Sequence, residues 1–152
     1  MNSEDNNTKA RKLLISLLRS GKTVDVPAQG LSMFPVLLPG DMLRVIPAKP
    51  ADLKRGMIVV YESEDKIISH RFIKIRESKL ICKGDGLRSY DSPFPTDRLL
   101  GIVTARTRNG ILTHLTNRLR RTTGTCMSYI TPITGYLFYY LRYLWYKLKH
   151  EN

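Results

Sequence analysis

The segment Gly30-Leu31-Ser32-Met33-Phe34-Pro35-Val36-Leu37-Leu38-Pro39-Gly40-Asp41 constrains this chain more than any other. Pro35 and Pro39 lack backbone donors and have fixed φ, so no helix runs through them. Gly40-Asp41 reads as a turn into the strand-like run Met42–Ile46. What remains is a rigid, irregular loop with a small hydroxyl residue near its start. Ser32, held in this way, becomes a nucleophile if a base lies beside it. Taken alone, the pattern describes an ordinary serine in a proline-rich turn just as well.

The segments around this loop read as short strands. Thr23–Val26 alternates, and Met57–Tyr61 is a near-continuous apolar run after the Asp52–Gly56 turn. Glu62–Lys66 is a charged hairpin tip, and Ile67–Arg76 is the returning strand, with basic and apolar residues alternating in its second half. Glu77-Ser78 turns the chain into Lys79–Cys82, and Lys83-Gly84-Asp85-Gly86 forms a tight loop. Asp91–Asp97 is polar and proline-rich, and Leu99–Ala105 closes the set. Short strands punctuated by turn signals argue for an all-β core. Before it, Thr8–Arg19 places Ala10, Leu14, Leu17 and Leu18 on one helical face, and Gly21 stops the helix. Its apolar run is too short to span a membrane, and no small-residue cleavage site follows it. The expected organisation is a polar segment and short helix over 1–22, a β domain over 23–107, and a basic, aromatic-rich helical tail over 108–152.

Charge separates the tail from the rest. Residues 1–101 carry 17 basic and 12 acidic residues, whereas 102–152 carry 8 and 1. The overall charge of +12 favours anionic partners. Arg106–Arg121 reads as a basic surface helix. Thr125–Leu141 is uncharged but contains Pro132 and Gly135, and Tyr136–Tyr146 is rich in aromatics with Lys147 and Lys149 beyond. Aromatics beside cations suit a membrane interface, so an anionic membrane surface is the expected partner of the tail. No recognised binding module points to nucleic acid. Cys82 and Cys126 have no metal-type spacing and are too few for a disulfide framework.

A serine nucleophile needs a positioned base. Of the three histidines, His70 lies in the β region, His114 in the basic segment and His150 at the end of the chain. An imidazole base needs an acidic partner to fix its tautomer. Asp85 and Asp91, in the loop after the next strand, are both candidates.

These segments together resemble the signal peptidase I family. Gly30–Pro35 with Gly40-Asp41 is similar to its serine box, Asp52–Tyr61 to the element that follows, and His70-Arg71 to the place of its general base. Lys83-Gly84-Asp85-Gly86 with Asp91, and Leu100–Val103, are similar to its last boxes. The similarity runs from about Val26 to Ala105. A histidine where many members have lysine resembles the endoplasmic-reticulum and archaeal branch. The resemblance implies a twisted antiparallel β domain and a serine endopeptidase that needs no metal or cofactor. It implies Ser32 as nucleophile, His70 as general base and Asp91 as the orienting carboxylate, with Asp85 supporting or competing. Backbone N–H groups at Ser32 would hold the oxyanion, Gly30 offering no side-chain donor, and Met33 and Phe34 would shape a pocket for small residues. Arg71 is expected to pair with a carboxylate.

Members of that family normally carry an N-terminal membrane anchor, and none is read here. If the tail inserted, the basic residues before it would keep the β domain on the cytoplasmic side. A role in trimming the leader of a particular precursor is therefore expected. Two alternatives stand beside it: an inactive leader-binding protein of the same fold, and a self-cleaving regulator with a nucleic-acid-binding tail.

Overall fold

The apolar run after Gly56 is apolar throughout because both of its faces are covered. In the computed structural model, which describes residues 3–150 except Asp65 and side chains from 7 to 134 with the same exception, this run is a central strand. The chain folds as α1 (Ser3–Arg19), β1 (Val24–Pro27), β2 (Met42–Pro47), β3 (Ile58–Ser63), β4 (Lys66–Arg76), β5 (Lys79–Lys83), β6 (Phe94–Pro95), β7 (Leu99–Arg108), β8 (Ile111–His114) and α2 (Arg118–His150). The strands form one curled antiparallel sheet in the order β1-β2-β7-β3-β4-β5-β6, and β8 also pairs with β7. The architecture is mainly β, with a helix at each end of the chain.

Alternation along β3 feeds two cores. Ile58 and Val60 join Leu43, Val45, Leu100 and Val103 on one face, where Leu14, Ile15 and Leu18 of α1 also pack. Val59 and Tyr61 join Phe72, Leu80, Cys82 and Phe94 on the other. Successive strand residues point to opposite faces, so a strand buried on both must be apolar at every position. Gly101 marks a close crossing, because a Cβ there would collide with the Ile46 carbonyl. At the end of α1, Gly21 adopts φ +85°. The Lys22 N–H donates to the Leu17 carbonyl at 3.0 Å and the Gly21 N–H to Leu18 at 3.1 Å. This pair of bonds closes a helix on a left-handed residue.

Two sequence expectations are corrected. Arg106–Arg121 is not a surface helix. β7 runs to Arg108, turns at Asn109-Gly110 with φ of 50° and 77°, and returns as β8. Asn-Gly is the strongest short signal for such a hairpin, because both central residues need positive φ. The sheet therefore extends to His114, beyond the expected boundary at 107. The polar 91–97 stretch likewise contributes β6, which pairs Phe94 with Leu80.

α2 continues through Pro132 without a break. Proline has no N–H to give the carbonyl four residues back, so Ser128 loses its helical donor. Lys83 supplies the replacement: its Nζ donates to the Ser128 carbonyl, and to the Gly84 carbonyl at 3.2 Å. The Tyr129 ring lies 5.6 Å from the same ammonium. A buried lysine and a helical proline thus satisfy each other's needs, which fixes α2 to the end of β5. The aromatic run 136–146 lies within this helix, but its side chains, like that of His150, are outside the described residues. Among the described residues, no helix is long and apolar enough to cross a membrane.

Lys83→Met is expected to lower stability by about 1–3 kcal/mol, the cost of orphaning a buried carbonyl. Pro132→Ala should recover part of that loss by restoring the helical donor. Urea denaturation of both single variants and the double variant measures this coupling; strict additivity would show that the two residues act independently.

Candidate active site

β4 carries two adjacent buried polar residues that serve opposite faces. His70 stands opposite Val59, so it shares a face with Val59 and Tyr61, whereas Arg71 stands opposite Ile58 on the other face. His70 is 5% exposed. Its Nδ1 lies 2.7 Å from Asp91 Oδ2, and Tyr61 Oη donates to the same oxygen at 2.8 Å. Tyr61 is itself held by Phe94, stacked on it at 3.9 Å, and sets its ring edge-on to His70 at 6.4 Å. Burial, then the Asp91 charge, pushes the Tyr61 phenol far up, so it stays a donor. With Nδ1–H given to the carboxylate, the neutral imidazole keeps Nε2 as a free acceptor. No hydrogen bond to Nε2 occurs among the described residues.

Arg71 has a different carboxylate. Its Nε and Nη2 donate to the two oxygens of Asp85 at 2.7 and 2.6 Å, and Nη1 donates to the Gly56 carbonyl at 2.6 Å. Asp85 is wholly buried and Arg71 is 2% exposed. Burial drives the Asp85 carboxyl up, and the guanidinium only partly offsets this. The two candidate aspartates are thus separated by geometry, Asp91 to the imidazole and Asp85 to the guanidinium. Arg71 pairs with a carboxylate, as expected.

Ser32 reaches the site through its backbone. The Gly86 N–H donates to the Ser32 carbonyl at 2.8 Å. A Cβ on Gly84 would stand 2.6 Å from that same oxygen, so the turn must be glycine there. The Asp91 N–H donates to the Cys82 carbonyl at 2.9 Å, at the same end of β5. Ser32 and the His70–Asp91 pair therefore converge on the exit of one strand. Ser32 is half-buried. Among the described residues its Oγ makes no hydrogen bond with His70, and its N–H has no acceptor. Catalytic hydrogen bonds often tighten only when substrate is bound.

The serine loop is anchored from beneath by Asp41. Its carboxylate accepts from Arg108 Nε and Nη2 at 2.6 and 2.7 Å, and from the Leu38 N–H at 2.9 Å. The Arg108 bond, with the Leu38 amide adding to it, holds this carboxyl below its usual range against the cost of burial. Gly30 takes φ +74° and is exposed, so it makes the bend. Met33 is corrected from pocket wall to core: at 4% exposure it packs with Leu37 and Leu43 and roots the loop. Phe34 is exposed, as are Leu31, Leu87 and Tyr90 on the two loops that meet at Gly86.

Sequence reasoning missed Tyr61, Lys83 and Gly124. A tyrosine closing an apolar strand was the available sign, since a buried phenol needs a partner. Nothing local marks Gly124, where a Cβ would stand 2.6 Å from the Arg71 guanidinium. Burial, with the Asp91 charge, pushes the Cys82 thiol well up, so it is an inert core residue. Among the described residues no cluster of ligating side chains could hold a metal ion. Comparison with known proteins finds no family model, no curated protein and no solved structure that matches the chain.

A carboxyl with a folded pKa below its unfolded value stabilises the fold above the unfolded pKa. That contribution is lost as pH falls through the folded value. Asp41→Asn is therefore expected to cost about 2–3 kcal/mol at neutral pH, the scale of charged hydrogen bonds. The difference from wild type should shrink as pH drops below about 4. Thermal unfolding of both proteins across that range checks it, and a pH-independent gap would exclude the ionic role.

Proposed function

We propose that the chain is a serine endopeptidase that removes a leader or signal-like segment from a protein or peptide precursor. The observation that carries this reading is the imidazole of His70, tethered through Nδ1 to Asp91 with Nε2 unengaged, at the end of the sheet where the Ser32 loop docks. The ordered boxes that resemble the signal peptidase I family support the same reading. In this scheme Ser32 Oγ attacks the scissile carbonyl carbon while its proton passes to His70 Nε2. The oxyanion is met by the Ser32 N–H, which donates to no other group among the described residues. Collapse returns the proton to the leaving amine and leaves an acyl-enzyme. Water, deprotonated by the same imidazole, then releases the acid and restores Ser32. Asp91 holds the tautomer and stabilises the imidazolium, and Tyr61 holds Asp91. The exposed side chains of Leu31, Phe34 and Leu87 offer the substrate an apolar rim. The basic tail places the enzyme on an anionic membrane surface, with the β domain on the cytoplasmic side.

One observation favours a second reading, a leader-binding protein that does not cut: Ser32 Oγ has no hydrogen bond to His70. Peptide cleavage by purified wild type, Ser32→Ala, His70→Ala, Asp91→Asn and Asp85→Asn separates the two. Against leader-like peptides with small residues before the cut, Ser32→Ala should abolish turnover. His70→Ala and Asp91→Asn should lower it by about two to four orders of magnitude while leaving the fold intact. Asp85→Asn should instead unfold more easily, by about 3–5 kcal/mol, because Arg71 is left charged and buried. Wild type that binds these peptides, cuts none, and shows no labelling of Ser32 by a fluorophosphonate would establish the second reading.

A further inference from the structure

Between the sheet and the first turns of α2 lies a cavity of about 260 Å³. Its lining is partly apolar, through Val36, Ile58, Leu115 and Met127, and also includes three arginines, Arg71, Arg106 and Arg120. Their charges are not balanced equally. Arg71 is matched by Asp85. Asp41 is engaged on both oxygens by Arg108, and Arg106 Nη1 stands 3.8 Å from it. Arg106 Nη1 instead donates to the Val36 carbonyl, while its Nε is buried with no hydrogen-bond partner. Arg120 is exposed and has no carboxylate partner among the described residues. Burial lowers the Arg106 pKa, the Arg108 and Arg120 charges add to this, and the Asp41 carboxylate opposes it. Arg106 and Arg108 therefore share the single Asp41 carboxylate, and with Arg120 beside them positive charge exceeds negative charge at this cavity. The proposed peptidase chemistry uses none of these groups.

We propose that this cavity binds a phosphate group, gripped by Arg106 and Arg120, with the apolar lining beside it available to the organic part where the phosphate is esterified. Three arginines, Arg106, Arg108 and Arg120, set against one carboxylate leave a surplus of positive charge that suits an anion, and guanidinium forks suit its several oxygens. Thr123 lines the α2 side of the cavity, its hydroxyl donating to the Leu119 carbonyl of the helix at 2.9 Å. The phosphate can come free from solution or on a lipid headgroup. This inference stands whether or not the chain is a peptidase.

Isothermal titration of the full chain with inorganic phosphate, and with dihexanoyl phosphatidic acid kept below its micellar concentration, tests it. Wild type should bind at least one of the two. Arg106→Gln and Arg120→Gln should each weaken binding by about ten- to a hundred-fold, the scale of losing a charge-assisted hydrogen bond. Arg120 is exposed, so its variant reports on binding even if Arg106→Gln fails to fold. Thr123→Phe fills the cavity without touching any charge and should weaken binding comparably. Arg76→Gln, on a far-exposed ion pair, should bind like wild type. Lipid binding more than tenfold tighter than phosphate identifies a headgroup as the source, and equal binding identifies free phosphate. Failure to bind either probe overturns the proposal. So does a loss in Arg76→Gln equal to that in the cavity variants, which would mean attraction to general surface charge, and so does undiminished binding by Thr123→Phe.

Discussion

The buried ion pair between Arg71 and Asp85 is the constraint on which the site depends. Taking two charges out of water costs several kcal/mol each, and only good geometry with further hydrogen bonds offsets it. Here all three guanidinium nitrogens have acceptors, two on Asp85 and one on the Gly56 carbonyl. The pair joins β4, the turn after β5 and the turn before β3 in one contact. It also dictates what may lie over it. Gly124 of α2 sits against the guanidinium where no Cβ fits, and Gly56 lies under the Arg121 carbonyl where none fits either. A helix with larger residues at that position could not close over the pair.

That rigidity is used one residue away. Because strand side chains alternate, the residue before Arg71 must emerge on the opposite face, and it is His70. A strand whose one face is fixed by a fully satisfied charge pair presents the imidazole on its other face with little freedom. Asp91 arrives by the same route: its backbone closes on Cys82, the strand residue before Lys83, which is itself fixed by α2. The His70–Asp91 pair is thus aligned by polar contacts on the other face of the strand and at the end of β5.

Much of this was legible in the sequence. The strands from Met42 to Ala105 follow from alternation and turn signals, and so does the helix before Gly21, because those patterns are local consequences of burial. His70, Asp91 and Asp85 were legible as candidates, and the resemblance implied Asp91 as the partner of His70, but the residues alone left Asp85 open. Which carboxylate meets the imidazole depends on the register of β4 against β5 and on how the 84–91 loop folds back, and neither is encoded locally. The second hairpin was missed although Asn109-Gly110 announces it, because the basic composition around it masked the turn. Met33 shows the converse failure: its place beside Ser32 in the chain gave no sign that it turns inward to the core. The Lys83–Ser128 contact spans 45 residues. Only the helical proline hinted that a carbonyl there needed an outside donor.

The Ser32 loop meets the Gly84–Gly86 turn through a main-chain carbonyl, and its grip on the core comes from Met33 and Leu37. No part of that attachment uses the hydroxyl. The loop's attachment and the hydroxyl are therefore carried by separate atoms of the same residue. A lineage carrying this fold can exchange the serine for another small residue in a single step and keep the loop's attachment. Descent from a cutting protein to a receptor, or the reverse, would leave the architecture unchanged and be visible at one position only.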